Sequence, residues 1–129
     1  MKNMASALII VYLIISFGFS VVEKISGWKK SKAYYREHFK GTWIENHIPA
    51  SLLLVILLET ISMGLCVLGL YELLQNGGTY WASAGLVFIS LTLMVLMAGQ
   101  RIAQDYSGAM NITVYFVLTV LGLYFLKTF

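Results

Sequence analysis

Glu59 is the residue of this 129-residue chain whose placement most needs a chemical reason. It is the one charge in an otherwise uncharged run over 48–71, ten residues past Pro49, which is about 15 Å at helical rise. That depth is near the midplane of a ~30 Å hydrocarbon core, where a charged carboxylate costs about 2.5–3.5 kcal/mol even on lenient insertion scales. A carboxyl group held there faces a bundle interior, finds a partner or stays protonated. Two readings follow. One is structural, a neutral Glu59 hydrogen-bonded to a neighbouring helix through Tyr12, Ser16, Ser90, Thr92 or Thr113. The other is functional, an acid that exchanges a proton or meets a ligand, since Gln or Leu would satisfy packing without the cost.

Other polar residues gather toward one end of the same axis. Glu23 and Lys24 close the first apolar run, His47 precedes the second, Gln100, Arg101, Gln104 and Asp105 follow the third, and Asn111 opens the fourth. Arg101 and Asp105 form an i, i+4 ion pair if the helix continues, which would serve only to keep the helix ends soluble. The functional alternative has Lys24 and Arg101 meeting an anionic headgroup, or reaching Glu59 through water. His38 and His47 read as interfacial residues, and no metal site is expected. Heme is not expected either, because no His lies inside an apolar run and bundle cytochromes take axial ligands from facing helices. Cys66, the single cysteine, forms a small-xxx-small pair with Ser62 and reads as helix packing. With no Ser/His/Asp arrangement and no Gly-rich phosphate loop, no catalytic residue is assigned.

The elements that must position these groups are membrane helices. Hydrophobic residues make up 59% of the chain and charged ones 12%, about half of what soluble domains carry. A soluble enzyme is excluded, and one cysteine excludes a disulfide framework or a Cys-rich zinc site. Runs over 4–22, 48–71, 80–98 and 109–126 each approach the ~20 residues that cross a bilayer. Gln75-Asn76-Gly77-Gly78 marks a tight turn, and 99–108 is a short polar link, so neighbouring spans are antiparallel. The fold expected is all-α: one transmembrane domain over 1–129, a polytopic four-helix bundle with an interfacial amphipathic helix between spans one and two. Alternatively the first run is a signal peptide with Gly18-Phe19-Ser20 as cleavage site, although it is longer than the usual ~7–15-residue apolar region.

The long connection, 23–47, carries Trp28, Tyr35, Phe39 and Trp43 at offsets that share one helical face. Lysines and Arg36 lie beside or across from them, and Ser31 is placed to start the helix. These four aromatics read as interfacial anchors on a helix in the headgroup region; the sharper reading is a lid over the bundle mouth or a docking surface. Seven of the nine basic residues (Lys24, Lys29, Lys30, Lys32, Arg36, Lys40 and Arg101) fall in the first and third connections, against Lys2 and Lys127 on the other side. The positive-inside rule then places the first connection in the cytoplasm and both termini outside.

Three stretches resemble the DoxX-like superfamily of small four-helix membrane proteins. They are the end of the first span (Phe17-Gly18-Phe19-Ser20-Val21-Val22-Glu23-Lys24-Ile25), Leu58-Glu59-Thr60-Ile61-Ser62-Met63-Gly64, and Gly99-Gln100-Arg101-Ile102-Ala103-Gln104-Asp105-Tyr106. Similar layouts occur in the redox subunits DoxX and DoxD, in the methylamine-utilisation protein MauE and in the receptor chaperone NACHO. Such a spread of roles does not choose a function, and the missing cysteine pair argues against disulfide handling. The resemblance implies an integral membrane protein, in a bacterial inner membrane, that acts as accessory subunit or assembly factor of a membrane complex. Its partners would be lipids and other membrane subunits or further copies of itself, with no nucleic acid. The alternative is a quinone- or lipid-binding redox component, with Glu59 exchanging a proton and Gln100 and Arg101 holding the polar end. Transport is the weaker alternative, because no inverted repeat is visible.

Overall fold

Four of the helices are long and apolar enough to cross a membrane, and they form a helical membrane bundle. The computed structural model describes residues 4–76 and 78–126, the side chain of Asn76 excepted. Lys2 and Lys127 of the charge asymmetry, and Gly77 of the expected turn, lie outside these residues. The elements are α1 (Met4–Ser26), α2 (Trp28–His38), a 3-10 turn (Trp43–His47), α3 (Ile48–Asn76), α4 (Tyr80–Ile102) and α5 (Tyr106–Leu126). The spanning helices outrun the charge-free runs that signal them, by about a turn at the C-terminal ends of α1, α3 and α4 and at the start of α5. Absence of charge marks the part that suits hydrocarbon, whereas intrahelical hydrogen bonds continue to satisfy the backbone past it.

α1 packs on α3 and α5, and α4 packs on the same two, so the four spans close a ring in the order α1, α3, α4, α5. α1 and α3 each present a buried stripe with residues spaced at 4 and 3 or at multiples of that repeat. On α1 the buried stripe holds Ser6, Ile10, Leu13 and Phe17; on α3 it holds Ile48, Leu52, Glu59, Ser62, Cys66 and Leu73. A 3.5-residue repeat keeps one seam facing the neighbouring helices along the whole bundle. Off the stripe, Leu8, Ile15, Phe19 and Val22 on α1 and Leu53, Leu57 and Leu68 on α3 are exposed, as a lipid-facing surface requires.

Small residues on that stripe let α3 and α4 approach closely. A Cβ on Gly69 would sit 2.4 Å from the Ala82 Cα, so only glycine fits at this crossing. One turn earlier Cys66 lies against Gly85, and Ser62 Oγ pairs with Thr92 Oγ1 at 3.2 Å. At the opposite end of the ring from the long connection, the Ser6 hydroxyl donates to the Gly122 carbonyl at 3.0 Å.

The long connection departs from one continuous amphipathic helix. α2 begins at Trp28 behind Gly27, with the Ser31 N–H donating to the Gly27 carbonyl at 2.7 Å, so Ser31 lies inside the first turn and does not start the helix. α2 stops at His38 because Gly41 takes a left-handed conformation (φ +85°) and the Thr42 hydroxyl donates to the Phe39 carbonyl at 2.7 Å. Phe39 therefore ends the helix and Trp43 opens the separate 3-10 turn, which runs directly into α3.

Candidate functional site

The stripe that buries Phe17 continues to Ser20 and Lys24, and the stripe of α3 brings Glu59 to meet them. Lys24 Nζ donates to Glu59 Oε1 at 2.9 Å, with the two side chains 11% and 3% exposed. The Ser20 hydroxyl, one turn earlier on α1, accepts a second N–H of Lys24. Glu59 thus has a charged partner on α1. Of the partners weighed from sequence, Tyr12, Ser16, Ser90, Thr92 and Thr113 do not hold it; Ser90, Thr92 and Thr113 instead donate back to carbonyls of their own helices.

The pair forms part of the wall of a cavity of about 470 Å³ between the ends of the spans and the connection, within the ~300–1,000 Å³ range of small-molecule sites. The cover contributes Phe39, Trp43 and Ile44. α3 contributes Ile48, Leu52, Leu54 and Val55, α4 Val95, Leu96, Ala98 and Ile102, and α5 Ile112. The polar lining consists of Ser20, Lys24, Tyr35, Ser51, Glu59 and Gln100, so Lys24 and Glu59 are its only charged members among the described residues. Burial pushes the Tyr35 phenol above its usual range, and the negative charge of Glu59 adds to this. Tyr35 therefore presents a neutral hydroxyl.

α2 is fastened to the far side of the mouth by polar contacts. His38 Nε2 donates to Gln100 Oε1 at 2.7 Å and lies 3.6 Å from Asp105 Oδ2. Asp105 also accepts the Gly108 N–H at 2.9 Å, tying the first turn of α5 to the same cluster. The Phe39 ring stacks on Tyr35 at 6.4 Å, and its tip approaches Gly99 of α4. Three of the four aromatics expected as anchors, Tyr35, Phe39 and Trp43, therefore line the cavity. Trp28 instead carries the Lys32 ammonium 5.7 Å from its ring centroid, an ordinary cation–π distance.

The residues singled out from sequence divide accordingly. Lys24, Glu59 and Gln100 share the cavity, and Asp105 stands just outside it beside His38. Glu23, Arg101 and Gln104 are exposed and do not line it. The expected Arg101–Asp105 ion pair does not form: α4 ends at Ile102 and Gln104 takes φ 59°, so the two residues do not share a helix. The Arg101 guanidinium instead lies 5.1 Å from the Tyr106 ring centroid. The place of Ser20 beside Lys24 and the bond of His38 to Gln100 are not read from the sequence, in which His38 stands only as an interfacial residue and Tyr35 as an anchor or part of a lid. The heptad spacing from Phe17 through Ser20 to Lys24 was available as a signal for Ser20, whereas the fastening by His38 depends on where Gly41 turns the chain. Among the described residues no group of three or more His, Cys, Asp or Glu side chains is arranged to hold a metal ion. Comparison with protein-family models, with curated proteins and with solved structures finds no match for this chain.

Proposed function

We propose that this chain is a small DoxX-like integral membrane protein that binds an amphiphile, a quinone or a lipid, between its helices. The observation that carries the reading is the 470 Å³ apolar cavity with one buried Lys24–Glu59 pair in its wall. Apolar walls with a few convergent polar groups are the usual form of a small-molecule site, and intramembrane ionisable residues mark functional positions. In this reading the tail lies against Leu52, Val55 and Val95, the polar end reaches Lys24 and Glu59, and Gln100 stands at the rim. The charge asymmetry supports a cytoplasmic position for the α2 connection, hence for the cavity mouth, in a bacterial inner membrane.

The test is purification in mild detergent with mass spectrometry of everything that co-elutes, for the wild type and for Val55→Trp, which fills the cavity. The expected result is a quinone or lipid retained by the wild type and lost from the variant. Stoichiometric protein partners with no small molecule would instead support an accessory subunit or assembly factor, and would refute the ligand reading.

A further inference from the structure

The charges in the cavity wall carry a rule about its occupant. Lys24 and Glu59 are the only charged side chains lining it among the described residues, and at 2.9 Å they neutralise each other. Their hydrogen bonds leave one donor and one acceptor over. A lysine ammonium has three N–H groups, of which Ser20 and Glu59 take two. Lys24 bonds Glu59 through Oε1, which leaves Oε2 to face the cavity that Glu59 lines, since no buried polar atom among the described residues is left unsatisfied. A donor and an acceptor thus stand side by side in an apolar wall.

We infer that the cavity selects an uncharged amphiphile whose polar end both donates and accepts a hydrogen bond, such as a long-chain alcohol or phenol, and rejects ionised headgroups. The inference rests on the ligand-binding reading above. A hydroxyl oxygen accepts from Lys24 while its hydrogen goes to Glu59, and the ion pair stays intact. An ionised carboxylate faces Glu59 at close range or takes Lys24 from it, and either way a carboxylate is left without a cation. Arg101, at the end of α4 beside the lining residue Gln100, is exposed, lies over Tyr106 and does not line the cavity. An ammonium meets the converse problem with Lys24. An uncompensated charge against apolar walls is strongly disfavoured.

The experiment is native mass spectrometry of the whole protein in phosphatidylcholine nanodiscs. The discs are doped in turn with dodecanol, dodecanoate and dodecylamine at equal mole fraction, at a pH where the acid and the amine are both ionised. The wild type should retain dodecanol at least about tenfold over either ion, the factor that corresponds to 1.4 kcal/mol. Glu59→Gln leaves Lys24 without its counter-charge and should shift the preference to dodecanoate; Lys24→Met should shift it to dodecylamine. Dodecanoate or dodecylamine held by the wild type as well as dodecanol overturns the charge rule while leaving the ligand reading standing. Retention of none of the three by the wild type refutes the ligand reading itself. The wild-type panel decides the rule even where a single variant fails to accumulate.

Discussion

The Lys24–Glu59 pair makes a quantitative prediction about stability. The two groups meet at 2.9 Å with 11% and 3% of their side-chain surface exposed, so removing one partner strands the other in an apolar wall. For buried pairs such a removal costs about 3–5 kcal/mol, whereas replacing both partners with apolar groups is often neutral or stabilising. The lower figure applies here, because Lys24 keeps some exposure and Ser20 still accepts one of its N–H groups. Glu59→Leu and Lys24→Met should therefore each lower stability by about 3 kcal/mol, and the two together should lie within about 1 kcal/mol of wild type. The assay is SDS-induced unfolding from mild detergent, followed by helical circular dichroism. The quantity of interest is the coupling energy of the double-mutant cycle. If the double variant loses the sum of the two single losses to within about 0.5 kcal/mol, the residues act independently and the pairing argument is refuted.

Three further outcomes follow from the same geometry. Gly69→Leu places a Cβ 2.4 Å from the Ala82 Cα, so α3 and α4 must separate; the loss should reach or exceed the ~1–3 kcal/mol of ordinary overpacking in the same SDS titration, and a wild-type curve would contradict the crossing. His38→Ala removes the contacts to Gln100 and Asp105 that fasten α2. Hydrogen exchange over 28–38 should then accelerate by about the tenfold that 1.4 kcal/mol represents, while α3 is unchanged; equal rates in α2 would mean that the aromatic contacts alone hold the cover. Cys66, fully buried against Gly85, should resist maleimide in the folded protein and react after SDS unfolding, and prompt labelling of folded protein would show that α3 and α4 part readily.

The four spans were legible because membrane solvent imposes a one-dimensional rule, a long enough run without charge. The site was legible only as an anomaly. Glu59 announces itself because a carboxylate is expensive in an apolar run, yet its partner is set by which helix lies next to α3, and local spacing does not show that. Short links made α3 beside α4 and α4 beside α5 readable, whereas α1 reaches α3 through the 23–47 connection, whose path depends on the left-handed turn at Gly41. The same turn bears on Tyr35, Phe39 and Trp43, whose spacing reads as one face of a helix in the headgroup region and which line the cavity. Their offsets describe a continuous helix, and breaking that helix at Phe39 folds the aromatics over the bundle mouth. Arg101 and Asp105 fail for a related reason, since Gln104 at φ 59° interrupts the helix that an i, i+4 pair needs.

One step toward the pair was nonetheless written in the chain. On α1 the positions Ser6, Ile10, Leu13, Phe17, Ser20 and Lys24 are spaced 4, 3, 4, 3 and 4; on α3 Ile48, Leu52, Val55, Glu59, Ser62 and Cys66 are spaced in the same way. A residue that continues a 3.5-residue seam faces the bundle whatever its polarity. A lysine and a glutamate on two such seams therefore both point inward. In hydrocarbon, where neither finds water, inward-facing opposite charges on neighbouring helices are expected to pair. The seam sets the direction of both side chains, and the close packing of α1 on α3 supplies the contact.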